Sequence, residues 1–237
     1  PSRLVGSEMC IRDRIKGADV IIWTTTPWTI PANKALAYNA GLKYVLLEIN
    51  DNKNFIDRKI VIAKDLLEPF KKDTSIENIK VLNEFLGKDL KGTICSHPFS
   101  KMGYDYDIPM LEANFVTTEQ GTGIVHCAPS HGPDDFNLCL NNNIKAIETV
   151  DGDGKYTNEI KHFEGLHIFK ANNLIIEKLN EQKNLVTNGK LTHSYPHSWR
   201  SKAPLVHRAT PQWFISMESH GLRDKALKAI DNTDFYP

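Results

Sequence analysis

Two short segments carry residue types that could do chemistry together. In the first, Trp23–Asn33 (WTTTPWTIPAN), Thr24, Thr25 and Thr26 stand in succession at a strand end, and Pro27 stops the strand. Three hydroxyls near one turn can donate to and accept from a bound polar group. Threonine also serves strands structurally. Pro27, Trp28 and Pro31 nevertheless give this turn a rigid, shaped rim, and loops on a fixed scaffold are where binding residues concentrate.

The second segment is Gly121–Phe136 (GTGIVHCAPSHGPDDF). Gly121 and Gly123 permit close backbone approach or a positive φ. His126 ends a strand pattern, and Asp134 and Asp135 open a helix just beyond a Pro-Ser-His-Gly-Pro loop. A histidine and a carboxylate presented from a strand end and a helix start can share a cleft. The same residues fit a plainer account, in which one aspartate caps the helix and His126 is a satisfied core residue. His131, on the loop, is expected in solvent.

Other chemistry-bearing patterns are weaker. Asp151-Gly-Asp-Gly resembles a calcium loop, but its twelfth position is His162 rather than glutamate, so a tight turn is expected. His193 and His197 are four apart with Pro196 between them, against the helix that such zinc spacing needs. Tyr195, Trp199, Arg200 and Arg208 could stack on nucleic acid or dock another domain. The sequence contains no Gly-x-Gly-x-x-Gly, no phosphate loop and no Gly-x-Ser-x-Gly elbow. No metal or cofactor is expected.

The elements that must position these residues are mostly short strands. Val20–Trp23, Lys43–Ile49 and Lys59–Ala63 are apolar runs of strand length, and Ile79–Leu86 partly alternates. Asn114–Thr117 and Gly123–Cys127 are further strand candidates. Helices are expected over Lys64–Lys72, limited by Pro69; over Pro133–Leu140, with proline and acids in its first turn; over Ala171–Lys183; and over Glu218–Ile230. Short strands with interspersed helices indicate a barrel-like α+β domain. Its expected span is residues 15–191, after a non-native or unmatched leader at 1–14 and before a different, proline-broken segment at 192–237.

Composition fits this picture. The chain has 237 residues, 41% hydrophobic and 24% charged, which suits a packed domain rather than a disordered or disulfide-dense one. Lys plus Arg number 29 and Asp plus Glu number 29, so no net positive charge argues for non-specific nucleic-acid or membrane binding. No apolar run approaches the roughly 20 residues of a membrane helix. Four scattered cysteines without a CxxC pair suit reduced thiols, and a cytoplasmic location is expected.

Together the two segments resemble the editing domain of isoleucyl-tRNA synthetase. TTTPWTIPAN, GTGIVHCAPSHGPDDF, DGDGKYT, FEGLHIFKAN and SYPHSWRSKAPLVHRATPQWF match that family in order, from about Ala18 onward. Leucyl and valyl relatives carry arginine after the first two threonines, whereas Thr26 stands here. The His-Ile-Gly-His and Lys-Met-Ser-Lys-Ser type signatures for ATP are absent, and Lys101-Met102-Gly103 is not the latter. The chain therefore looks like the connective insertion of a larger synthetase and is not expected to activate amino acids.

The resemblance implies a β-barrel-rich editing domain of class I synthetases with peripheral helices. It also implies hydrolysis of valyl-tRNA(Ile), and of valyl adenylate, by a pocket that excludes isoleucine. One methylene is worth only about 1–3 kcal/mol in a hydrophobic pocket, a limit for which this very synthetase is the usual illustration. Asp135 would hold the substrate ammonium. His126 would line the side-chain pocket, sterically and by hydrogen bonding rather than as a general base. Thr24, Thr25 and Thr26 would bond substrate and water, with Trp28 as a wall and Asn33 nearby. The implied partners are the tRNA(Ile) acceptor end and the catalytic domain, toward which 192–237 would return. Two alternatives are a non-catalytic module that holds the acceptor end or docks a domain, and a hydrolase of other esters.

Overall fold

The computed structural model describes residues 15–50, 57–190 and 194–236; the expected leader, the boundary at 191–192 and His193 lie outside them. Among the described residues, eight strands and four α-helices are complete, in the order β1 (Asp19–Val20), β2 (Ala35–Tyr38), β3 (Lys43–Ile49), β4 (Arg58–Ala63), α1 (Leu67–Thr74), β5 (Ile79–Leu86), β6 (Ile94–Ser96), β7 (Asp107–Glu112), β8 (Ile124–Cys127), α2 (Pro133–Asn141), α3 (Ile168–Glu181) and α4 (Leu222–Asp231). They build two mixed sheets, β1-β4-β3-β5 and β6-β7-β2-β8.

The α+β class is as expected, but the described strands form no closed barrel. Closure needs long strands with a continuous stagger of register. Here β1 has two residues and β6 has three, too few to carry a ladder round to the other sheet. Single bonds join the sheets instead. Ala63 N–H donates to the Thr122 carbonyl at 2.8 Å, and the Tyr44 hydroxyl donates to the Gly123 carbonyl at 2.8 Å.

Strand periodicity explains the layering. Along β3, Tyr44 and Leu46 face a core shared with Leu36 and Tyr38 of β2, Val61 of β4, Met110 of β7 and Ile124 of β8. Val45, Leu47 and Ile49 point the other way, onto Ile60, Ile62 and Phe70 of α1. Both faces of β3 and β4 are therefore covered, which is why their sequences run continuously apolar instead of alternating. A third cluster packs Ile168, Ala171, Ile175 and Leu179 of α3 against Trp28, Phe99, Tyr156 and Phe163.

Several elements differ from expectation. The first strand stops at Val20 because the chain leaves the sheet to build the threonine turn. Asn114–Thr117 is not a strand; β7, just before it, is. Pro109 disguises β7, since proline has no N–H to give to a ladder. The helix begun at Pro133 and the one in 168–181 stand close to where periodicity placed them. Residues 194–209 form a hairpin around Ser198–Ala203 and then run along the loops near 130 and 150. Beyond them no residue of α4 is buried.

At Gly123 the two sheets approach closely. The glycine's φ is +73°, and a Cβ placed there would lie 2.3 Å from the Cβ of Ala63. Gly123→Ala should therefore lower unfolding stability by about 2 kcal/mol or more, combining left-handed strain with overpacking. Denaturant unfolding checks this, and an unchanged midpoint would refute the account.

Candidate active site

The threonine turn is built by its own side chains. The Thr26 N–H donates to Thr24 Oγ1 at 3.0 Å, and the two hydroxyl oxygens lie 3.3 Å apart. A short 3₁₀ helix, Pro27–Ala32, then starts with proline in its first turn. The Thr29 N–H and hydroxyl both donate to the Thr26 carbonyl, at 3.0 and 2.9 Å. The start of this helix is pinned from outside, since the Trp28 N–H donates to Asn172 Oδ1 of α3 at 3.0 Å. Thr25 is left exposed at the tip of the turn, next to the half-exposed Trp23.

His126 reaches this turn through a sheet. Strand β8 pairs antiparallel with β2, setting His126 opposite Leu36, in the strand that follows the threonine turn and its 3₁₀ helix. Its Nε2 lies 3.1 Å from the Thr29 hydroxyl. That hydroxyl has one proton, already given to the Thr26 carbonyl, so Nε2–H is the donor and Nδ1 is left as an acceptor. Nδ1 is buried without a hydrogen-bond partner among the described residues, and so is the amide oxygen of Asn33. Burial pulls the ring down to about 4, with His131 as a lesser cause, which keeps His126 neutral at pH 7.

Asp135 sits in the first turn of α2 and folds back on the loop that links the helix to β8. Its Oδ2 accepts from the Ala128 N–H at 2.9 Å, two residues after His126. Burial pushes this carboxyl up to about 6, partly offset by the Ala128 N–H and reinforced by Asp134. A half-buried carboxylate with one fixed donor keeps lone pairs available for a cationic ligand. Asp134 is exposed and does not share this environment.

The other expected residues divide. Trp28 is buried, with its carbonyl accepting from the Tyr156 hydroxyl at 2.5 Å and its ring in the α3 core. Asn33 is buried at the exit of the 3₁₀ helix. His131 is not in solvent as the loop reading had it. Its Nδ1 lies 3.0 Å from the His207 carbonyl, its Nε2 lies 2.7 Å from the Thr149 hydroxyl, and its ring meets Trp28 edge-on at 4.7 Å. Sequence reasoning missed this histidine and Thr29. Only the three-residue offset of Thr29 from Thr26, one 3₁₀ turn, was there to be read. Asp151 does close a tight turn, its Oδ1 accepting from the Asp153 and Lys155 N–H groups at 2.9 Å each.

The raised carboxyl has a consequence for stability. The folded state holds the Asp135 proton more tightly than the unfolded chain, so stability falls as pH rises from about 4 through about 6. Asp135→Asn keeps an acceptor for Ala128 N–H but carries no charge. At pH 7.5 it should be more stable than the parent by about 1–2 kcal/mol, and the gap should close near pH 4. Denaturant unfolding across that range measures it, and a constant or reversed gap would contradict the assignment.

The geometry can be set beside known proteins. A family model described as the leucyl-tRNA synthetase editing domain matches residues 35–188. An isoleucine–tRNA ligase of Pelagibacter ubique is 72% identical over 223 residues, 94% of this chain and 25% of that protein. The Gluconobacter oxydans isoleucine–tRNA ligase is 45% identical over 239 residues, again 94% of the chain and 25% of the relative. The chain thus spans about a quarter of the length of these curated relatives. Among solved structures, GlLeuRS-CP1 is similar with a TM-score of 0.58 at 14% identity, covering 77% of this chain and 89% of that one. The P. knowlesi cytosolic leucyl-tRNA synthetase editing domain follows at 0.55 and 12%, covering 73% and 84%. The histidine strand and the aspartate helix lie within the matched residues, and the chain belongs to the aminoacyl-tRNA synthetase editing-domain family.

Proposed function

We propose that this domain hydrolyses valine from valyl-tRNA(Ile), and from valyl adenylate, as the proofreading unit of an isoleucyl-tRNA synthetase in the cytoplasm. The observation that carries the reading is the half-buried Asp135 carboxylate, held by one backbone N–H within two residues of His126 and otherwise able to accept. An α-ammonium is the cation an aminoacyl ester brings, and a charge-assisted contact there orients the adjacent carbonyl. Sequence similarity to isoleucine–tRNA ligases supports tRNA(Ile) as the carrier and the rest of the synthetase as the structural partner.

An aminoacyl ester is already activated, so a positioned water and a polar cradle for the developing oxyanion suffice for hydrolysis. Thr24, Thr25 and Thr26 supply hydroxyls at the turn. Thr29 is committed to the Thr26 carbonyl and to His126. His126, neutral and tethered by Nε2, is poorly placed to gain a proton, which favours a steric and hydrogen-bonding role over general-base work. Its ring would limit the side chain that can enter, and Trp28 and Asn33 would brace the turn from beneath.

Asp135→Ala should reduce deacylation of valyl-tRNA(Ile) by about 100-fold or more, the scale of losing substrate orientation. His126→Ala should instead raise the hydrolysis of isoleucyl-tRNA(Ile). The parent rate should rise as Asp135 ionises near pH 6, a step that Asp135→Asn should lack. Deacylation assays with both charged tRNAs decide this. An undiminished rate in Asp135→Ala would remove the ammonium anchor. Tight binding of tRNA without product would favour the non-catalytic module.

A further inference from the structure

Helix α2 cannot hold Asp135 in place unaided. Only Cys139 among its nine residues is buried, and Gly132 offers no side-chain cap at its N-terminus. The position of the carboxylate therefore depends on the loop 128–132, whose Ala128 N–H it accepts from. That loop is fastened from the far end of the chain. The Ala209 N–H donates to the Ser130 carbonyl at 2.9 Å, and the Ser130 hydroxyl donates to the Ile147 carbonyl. Arg208 is in turn held by Glu148 at 2.8 Å and by the Val150 carbonyl at 3.2 Å.

His131 sits at the centre of this fastening. The His207 carbonyl can only accept, so Nδ1 carries the ring proton and Nε2 accepts from the Thr149 hydroxyl. The ring is thus satisfied at both nitrogens while its edge packs on Trp28, at the base of the threonine turn. From within the loop that carries the Ala128 N–H, this one side chain reaches Trp28, next to the threonines in the chain, and the segment arriving from residue 194 onward.

We propose that His131 is a positioning residue: it locks the loop 128–132, and with it the Ala128–Asp135 contact, to the segment Val206–Ala209. The placement of the ammonium anchor is then set by where that segment lies. The clamp stands on these contacts alone, whereas its effect on hydrolysis rests on Asp135 acting as the proposed anchor.

Amide hydrogen exchange tests the clamp without any substrate. His131→Leu keeps bulk against Trp28 and removes both hydrogen bonds. It should speed exchange at Ala128 and Phe136 by about 10-fold or more and leave Leu47 and Ile62 in the first sheet unchanged. His131→Gln can still donate to the His207 carbonyl and should restore protection at both amides. Thr149→Val, a milder change that leaves the His207 bond intact, should show the same pattern at smaller amplitude. Unchanged exchange, a uniform rise at all four amides, or no rescue by glutamine would overturn the clamp.

Deacylation then tests its consequence. The preference for valyl-tRNA(Ile) over an analogue with hydroxyl in place of the ammonium should fall about 10-fold in His131→Leu and recover in His131→Gln. Faster exchange with an unaltered preference would uphold the clamp and overturn the anchor role of Asp135. Equal losses on both substrates would reduce His131 to a structural residue.

Discussion

The antiparallel pairing of β2 with β8 is the constraint on which the rest of the site depends. It joins Ala35–Tyr38 to Ile124–Cys127, stretches some ninety residues apart in the chain, and sets their register residue by residue. Register in a sheet covered on both faces is strongly fixed, because a slip of one residue would turn every side chain to the wrong side. Here Leu36 and Tyr38 face the core between the sheets, while Ala35 and Ala37 pack with Cys127 and Cys139 on the opposite face. With that register fixed, the threonine turn just before β2 and the histidine of β8 must meet. The Thr29–His126 hydrogen bond is the local expression of this long-range constraint.

Around this seam the molecule concentrates polar groups that burial penalises. His126 is held neutral, Asp135 is pushed toward the physiological range, and Asn33 and His126 each leave a buried acceptor without a partner among the described residues. A fold optimised for stability alone would replace such groups with apolar ones. Their cost is offset by the apolar layers around them, where β3 and β4 bury nearly continuous Leu, Ile and Val surface and α3 buries one face of Ile, Ala and Leu. Perturbed groups gathered at a strand, a helix start and a 3₁₀ exit around one cleft, with firm packing elsewhere, are the pattern expected of a functional site.

The C-terminal segment has two characters. Its first part is woven into the site, through His207, Arg208 and Ala209. Its last part exposes Trp213, Phe214 and Ile215, and α4 buries none of its residues. An amphipathic helix with no buried face gains nothing from tertiary packing. Among the described residues, the hydrogen bonds that tie this segment to the rest of the domain lie at or before Ala209.

Much of the design was legible in the sequence because it is written in local chemistry. The apolar runs of β3 and β4, the proline-led acidic start of α2 and the amphipathic face of α3 each follow from spacing and residue type. The two motifs offered the threonines, His126 and the pair Asp134 and Asp135 as candidates, since strand ends and helix starts present side chains in fixed directions, and the family resemblance chose Asp135. Strand β2 escaped notice because Ala-Leu-Ala-Tyr has little strand propensity, and β7 because Pro109 interrupts it. Tertiary structure alone decided that the strands stack as two sheets without closing, that Trp28 is buried beneath the turn, and that His131 is clamped between Thr149 and the His207 carbonyl. Those outcomes depend on partners from about 18 to more than 100 residues away, and pattern in a local window holds no information about which distant backbone will arrive to accept a proton.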